Sequence, residues 1–216
     1  MKTKLQWILV MTLFMVMAGA NCGKNPLNPV FSPGPVSLIL PFPSSADANI
    51  QVDNVFAPAD APNLALAPFG EHLGMHFSPL PSYSGNMPYY AMADGIITTI
   101  QSGSGGEGYN VNIGLKVSDN QSVLYQFEPE VNTTAVQNTQ FSMIAVTLNQ
   151  SVTQGQLIGN LYQVVGSGNN PILHIGVLVN NIFMCPMNYM TSDSAVRAQS
   201  ILIRDHPSWL ACYANQ

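Results

Sequence analysis

The chain has 216 residues, of which 8% are charged, and six Lys and Arg stand against eleven Asp and Glu. That length suits one domain with a sizeable core. So sparse and slightly acidic a charge excludes a sequence-independent grip on nucleic-acid phosphates, and an anionic membrane surface repels the body of the chain.

Lys2 and Lys4 precede an apolar run from Leu5 to Ala18 and small residues before Cys22, the pattern of an export signal over residues 1–22. As a helix the run spans roughly 21 Å against a hydrocarbon core of about 30 Å, which suits a cleaved segment better than a permanent anchor. Gly19-Ala20-Asn21-Cys22 reads as a lipobox, although Gly19 stands where a large aliphatic residue is usual and Asn21 replaces a customary small one. Ala18-Gly19-Ala20 offers an A-x-A cleavage site as the alternative. The lipobox predicts lipidation of Cys22 and an exported, cell-envelope protein held to a membrane by lipid, on its periplasmic or surface face. Cys185 and Cys212 then remain and suit one disulfide in an oxidising compartment; two unpaired buried thiols are the alternative.

Residues 23–35 are Pro-rich without helical or strand periodicity and read as a tether. From Val36 onward, short aliphatic runs alternate with Gly, Pro, Asn and Ser, predicting strands over 36–40, 95–100, 109–117, 122–127, 141–148, 156–165 and 172–179. In the run from Tyr109 to Val117 apolar residues share one face and Asn110, Asn112 and Lys116 the other, so the sheet is expected to keep one wet face. No earlier stretch than about residue 190 has a sustained 3.6-residue period, which makes an all-β sandwich or barrel the expected architecture. A C-terminal helix follows, capped by Ser192 or Asp193, striped by Val196, Ile201 and Leu202 and ended by His206-Pro207, with residues 209–212 folding back.

The chemistry-bearing segments are Phe69-Gly70-Glu71-His72-Leu73-Gly74-Met75-His76, then Ala91-Met92-Ala93-Asp94-Gly95-Ile96-Ile97, then Val152-Thr153-Gln154-Gly155-Gln156-Leu157-Ile158-Gly159, then Pro171-Ile172-Leu173-His174-Ile175. Their order and spacing resemble the lysostaphin/LytM-type zinc endopeptidases, in which H-x-G-x-D, A-x-x-D-G-x-V, V-x-x-G-Q-x-I-G and H-x-H succeed one another. The second and third motifs mark the wider barrel-sandwich hybrid class. The resemblance spans residues 65 to 190, roughly, and implies an all-β barrel-sandwich hybrid, a peptidase-like duplicated hybrid motif, over residues 36–190, with residues 191–216 forming a short helix and tail packed on it.

The resemblance places zinc ligands at His72, His76 and His174, with His76 standing where the family has Asp. Zinc accepts imidazole as readily as carboxylate, so the exchange is chemically survivable. The alternative is two polar loop residues and one satisfied core histidine. Two further family histidines, which orient water and stabilise the oxyanion, map to Phe127 and Ile172, and neither side chain donates a hydrogen bond or carries a proton. Losing one oxyanion donor costs about 10² to 10³ in rate, so no catalytic residue is assigned; Glu71, Tyr125 and Glu128 lie beside motif positions without being aimed by the sequence.

Three readings follow. The first is a degenerate, non-catalytic binding or regulatory module of the envelope that retains a metal, with peptidoglycan or an envelope protein as partner. The second is an active zinc endopeptidase acting on peptidoglycan peptides, and the third a metal-free adaptor or structural domain. Two weaker features carry less. The Gly-rich run 103–108 reads as a hairpin loop, because no helix or Lys follows it, and the polar stretch 128–140 reads as a loop or a flap over the site.

Overall fold

The computed structural model describes residues 36–61, 65, 67, 70–105, 108–168 and 170–213; the export signal, Cys22 and the tether lie outside them. Its strands are β1 (Ile50–Asn54), β2 (Met75–Pro79), β3 (Met87–Tyr90), β4 (Gly95–Gly105), β5 (Gly108–Lys116), β6 (Gln121–Glu128), β7 (Ser151–Val152), β8 (Leu157–Leu161), β9 (Ile172–Val179) and β10 (Ile182–Met184). One antiparallel sheet runs in the order β1-β2-β9-β6-β5-β4-β7 with β10 on β9, and β3 and β8 form a separate pair.

Alternation within the strands explains the layering. Val52, Phe77, Leu173, Ile175, Val123, Tyr125, Phe127, Val111 and Ile113 are wholly buried, each such side chain contributing about 1.5–3 kcal/mol by leaving water. The β3–β8 pair lies over this face: Tyr89 meets Phe127 edge-on with ring centroids 6.2 Å apart, and its hydroxyl donates to the Phe77 carbonyl at 3.2 Å. The expected all-β architecture with a C-terminal helix is therefore what the chain forms.

Several local expectations need correction. Residues 36–40 form no strand; Leu38 makes a single bridge to Met190, and its N–H donates to the Tyr189 carbonyl at 2.8 Å. In the 156–165 run only Leu157–Leu161 is strand. The 141–148 segment is not a strand either, because helix α1 (Thr134–Ser142) ends inside it. This helix has no apolar stripe to betray it, and its stability comes from polar anchors. Thr133 caps it by accepting from the Val136 N–H at 3.3 Å, and the wholly buried Gln140 donates to the Asn160 carbonyl at 2.9 Å and accepts from the Tyr162 N–H at 2.8 Å.

The face predicted to be wet is partly covered as well. Asn110 and Asn112 are buried, where α1 packs against β5, and they satisfy one another, the Asn112 amide donating to Asn110 Oδ1 at 3.0 Å. Gln137 of α1 reaches across to donate to the Gly103 carbonyl at 3.0 Å.

Helix α2 (Ser192–Asp205) is capped by Thr191, whose hydroxyl accepts from the Ser194 N–H, rather than by Ser192 or Asp193. Its buried stripe is Ser194, Ala198, Ile201 and Leu202; Val196, expected in that stripe, is 65% exposed. Arg197 clasps Asp47 through two hydrogen bonds of 3.0 and 2.7 Å. Beyond the helix, Cys185 and Cys212 form a disulfide with Cα atoms 5.9 Å apart, and the Tyr213 N–H donates to the Phe56 carbonyl at 2.8 Å.

Candidate metal centre

Three segments distant in sequence deliver the histidines to one place. His76 on β2 and His174 on β9 are direct partners across an antiparallel ladder, and partners across a ladder share a face. His72 precedes β2 in a turn whose backbone is fixed by reciprocal bonds with Ala57, at 2.7 and 2.8 Å. Its ring is fixed too, with Nδ1 3.1 Å from the Val55 carbonyl, an obligate acceptor.

The nitrogens that remain converge. His76 Nε2 lies 2.9 Å from His72 Nε2 and 3.1 Å from His174 Nδ1, and the three offered donor atoms all fall within 4.8 Å of one another. Because His72 Nδ1 must donate to Val55, its Nε2 presents a bare lone pair when the ring is neutral. The other nitrogen of His174 lies against Gly74, so Nδ1 is the atom this ring turns toward His76. His76 Nε2 carries at most one hydrogen and cannot serve both neighbours fully.

Protonation does not resolve the conflict. Burial lowers the pKa of His72; burial first, and then the neighbouring His174 and His72, lower that of His76 well below its ordinary value. Burial and then His72 bring His174 down to about 3. Neutral imidazoles with converging lone pairs are what a divalent metal requires, and an outer N–H held by a backbone carbonyl is the usual support for a ligating histidine. Four donors around zinc at about 2.0–2.1 Å lie about 3.3–3.4 Å from one another; the two separations from His76, 2.9 and 3.1 Å, are close to that, and the whole set lies within 4.8 Å. The donor set fits the metal.

Gly74 makes the packing of this centre possible. A side chain there would overlap His174 Nε2 and the Ile175 carbonyl, so the backbone of the turn approaches the ring only because no Cβ intervenes.

Other expected positions fare differently. Ile172 lies on the face of His174, two residues away on β9, and is buried. Phe127 does not lie on that face: it pairs with Leu173 and packs on Tyr89 in the core. The residue across the ladder from His174 is Gln126, and Glu128 stands across from Ile172. Gln126 was not singled out by sequence, although the alternation of Val123, Tyr125 and Phe127 against Leu124, Gln126 and Glu128 carries that signal. Tyr125 points into the core, where its hydroxyl accepts from the Met92 N–H at 2.7 Å, and Glu71 is exposed in the turn before His72.

No protein-family profile matches the chain, nor does any curated protein sequence. Among solved structures it is similar to a zinc-containing peptidase from Vibrio cholerae, at 20% identity and TM-score 0.43, covering 74% of this chain and 40% of that one. It is similar to the catalytic domain of the prophage-encoded protein EnpA from Enterococcus faecalis, at 20% identity and TM-score 0.45, covering 69% of this chain and 95% of that one. A third is the catalytic domain of lysostaphin from Staphylococcus simulans, at 18% identity and TM-score 0.44, covering 68% of this chain and 96% of that one. The chain thus spans less than half the length of the Vibrio protein.

Proposed function

We propose that this is an envelope lipoprotein, anchored through Cys22, whose folded body holds a divalent metal on His72, His76 and His174 and uses that centre to bind a ligand rather than to cut one. The observation that supports the reading is the convergence of three neutral imidazole nitrogens within 4.8 Å on a face where His72 and His76 are half-buried. Zinc suits an all-imidazole set, and bound there it would supply a Lewis acid toward a ligand oxygen.

The surrounding residues favour binding over hydrolysis. Ile172 offers only hydrocarbon beside His174, and Phe127 is turned into the core. The fourth histidine of the chain, His206, stacks on Trp209 with ring centroids 3.6 Å apart instead of joining the centre. Among the described residues no second imidazole pair is at hand to hold and return a proton.

A second reading, an active zinc endopeptidase acting on peptidoglycan peptides, draws support from Gln126 and Glu128, which put polar groups on the site face. Incubating the zinc-loaded protein with peptidoglycan separates the two. The binding reading expects retention of the polymer, or of an envelope protein, with no cleavage of peptide bonds; cleavage that disappears with chelator and in His72→Ala establishes the enzyme.

A further inference from the structure

The face that carries the metal centre holds one polar side chain that the fold leaves unengaged. Gln126 lies directly across the β6–β9 ladder from His174, a placement that brings Cβ atoms to about 4.5–5.5 Å. Nearby amides are committed elsewhere: Asn112 to Asn110, Gln137 to Gly103, Gln140 to Asn160 and Tyr162, and Gln121 to Val36. The Gln126 carboxamide has no such bond among the described residues, yet it is half-buried.

Charge decides what it would hold. Three neutral imidazoles leave both charges of a divalent ion uncompensated, whereas a set with one carboxylate ligand leaves a single one. The strongest partner for such a centre is an oxyanion, and a carboxamide N–H donates well to the oxygen of a carboxylate. Glu128, on the same face two residues on, carries charge of the wrong sign for an anion, so an anion bound here depends on the metal and on the donors of Gln126 together. We infer that Gln126 and the His72–His76–His174 centre form a receptor for a carboxylate-bearing ligand, with Gln126 as the residue that selects an anion over a neutral carbonyl; this rests on the metal-binding reading.

The test uses the full chain loaded with cobalt(II), whose visible absorption reports exchange at the metal, with metal affinity measured separately by chelator competition. Acetate, N-acetylglycine and acetamide are titrated into the wild-type protein, Gln126→Ala and Gln126→Glu. Acetate should bind the wild type well above acetamide and weaken about 10-fold in Gln126→Ala and further in Gln126→Glu, with metal affinity little changed in Gln126→Ala. N-acetylglycine tighter than acetate assigns the carboxylate to a peptide terminus, and equal affinities assign it to a small free acid. Equal acetate affinity in the wild type and Gln126→Ala, or acetamide binding as well as acetate, overturns the inference while leaving the metal site standing. Failure of the wild type to take up metal overturns both.

Discussion

His76 and His174 face each other across the ladder between β2 and β9, with Nε2 of the first 3.1 Å from Nδ1 of the second. Ninety-eight residues separate them in sequence, and it is the register of two antiparallel strands that closes the gap. A register slip of one residue would turn one ring to the core face, so the sheet itself specifies the centre.

Removing either ring of that pair should unmake the site. His76→Ala and His174→Ala should each lose more than about 100-fold in metal affinity, since even outer-shell partners of metal ligands are worth 10–100-fold. Chelator competition on the folded variants, with circular dichroism to verify folding, measures it.

Gly74→Ala tests the close approach of backbone and ring. The added methyl has no room beside His174 Nε2, so the ring must shift; we expect a loss of about 1–3 kcal/mol in stability and a weaker metal site. Unchanged urea midpoint and metal affinity would show that the turn relaxes freely.

The metal-free protein should lose stability in mild acid. All three rings have folded-state pKa values below the ordinary 6.5, that of His174 about 3 and mainly through burial. Between those limits the unfolded chain binds more protons than the folded one, so stability rises with pH across the window and falls as the pH drops below about 6.5. Asp53 acts in the opposite sense, because burial raises its carboxyl pKa, and it returns some stability at lower pH. Urea denaturation at pH 7 and pH 5 should give the lower midpoint at pH 5, with a smaller difference in His174→Asn.

Two imidazole insertions separate the position that the resemblance implies, Phe127, from the one that the ladder gives, Gln126. Phe127→His places a polar ring in the core against Tyr89 and should cost about 2–4 kcal/mol without altering metal affinity. Gln126→His places its ring across from His174 and should preserve stability while tightening metal binding. Thermal unfolding and chelator competition read both.

What could be read in the sequence follows from what determines each element. The histidines are legible through the resemblance, which maps His72, His76 and His174 onto ligand positions, and the long β4, β5, β6 and β9 through their aliphatic runs bounded by Gly, Asn and Ser. Helix α1 was not, because Thr133, Gln137 and Gln140 hold it by polar bonds to distant backbone groups, which no local periodicity records. The same helix buries Asn110 and Asn112, side chains that alternation alone assigns to water. The resemblance maps a family histidine onto Phe127, whereas the face of that residue is set by pairing with Leu173, a long-range fact. The turn before His72 carries the least local signal, and its geometry depends on Ala57 and Val55.

Metal content of the purified full chain tests the central claim most directly. Elemental analysis after reconstitution with zinc and removal of loosely held ions should find about one zinc per chain in the wild-type protein and almost none in His76→Ala. A wild-type protein that is folded, takes up no zinc and shows no difference from His76→Ala would contradict the assignment of His72, His76 and His174 as a metal centre.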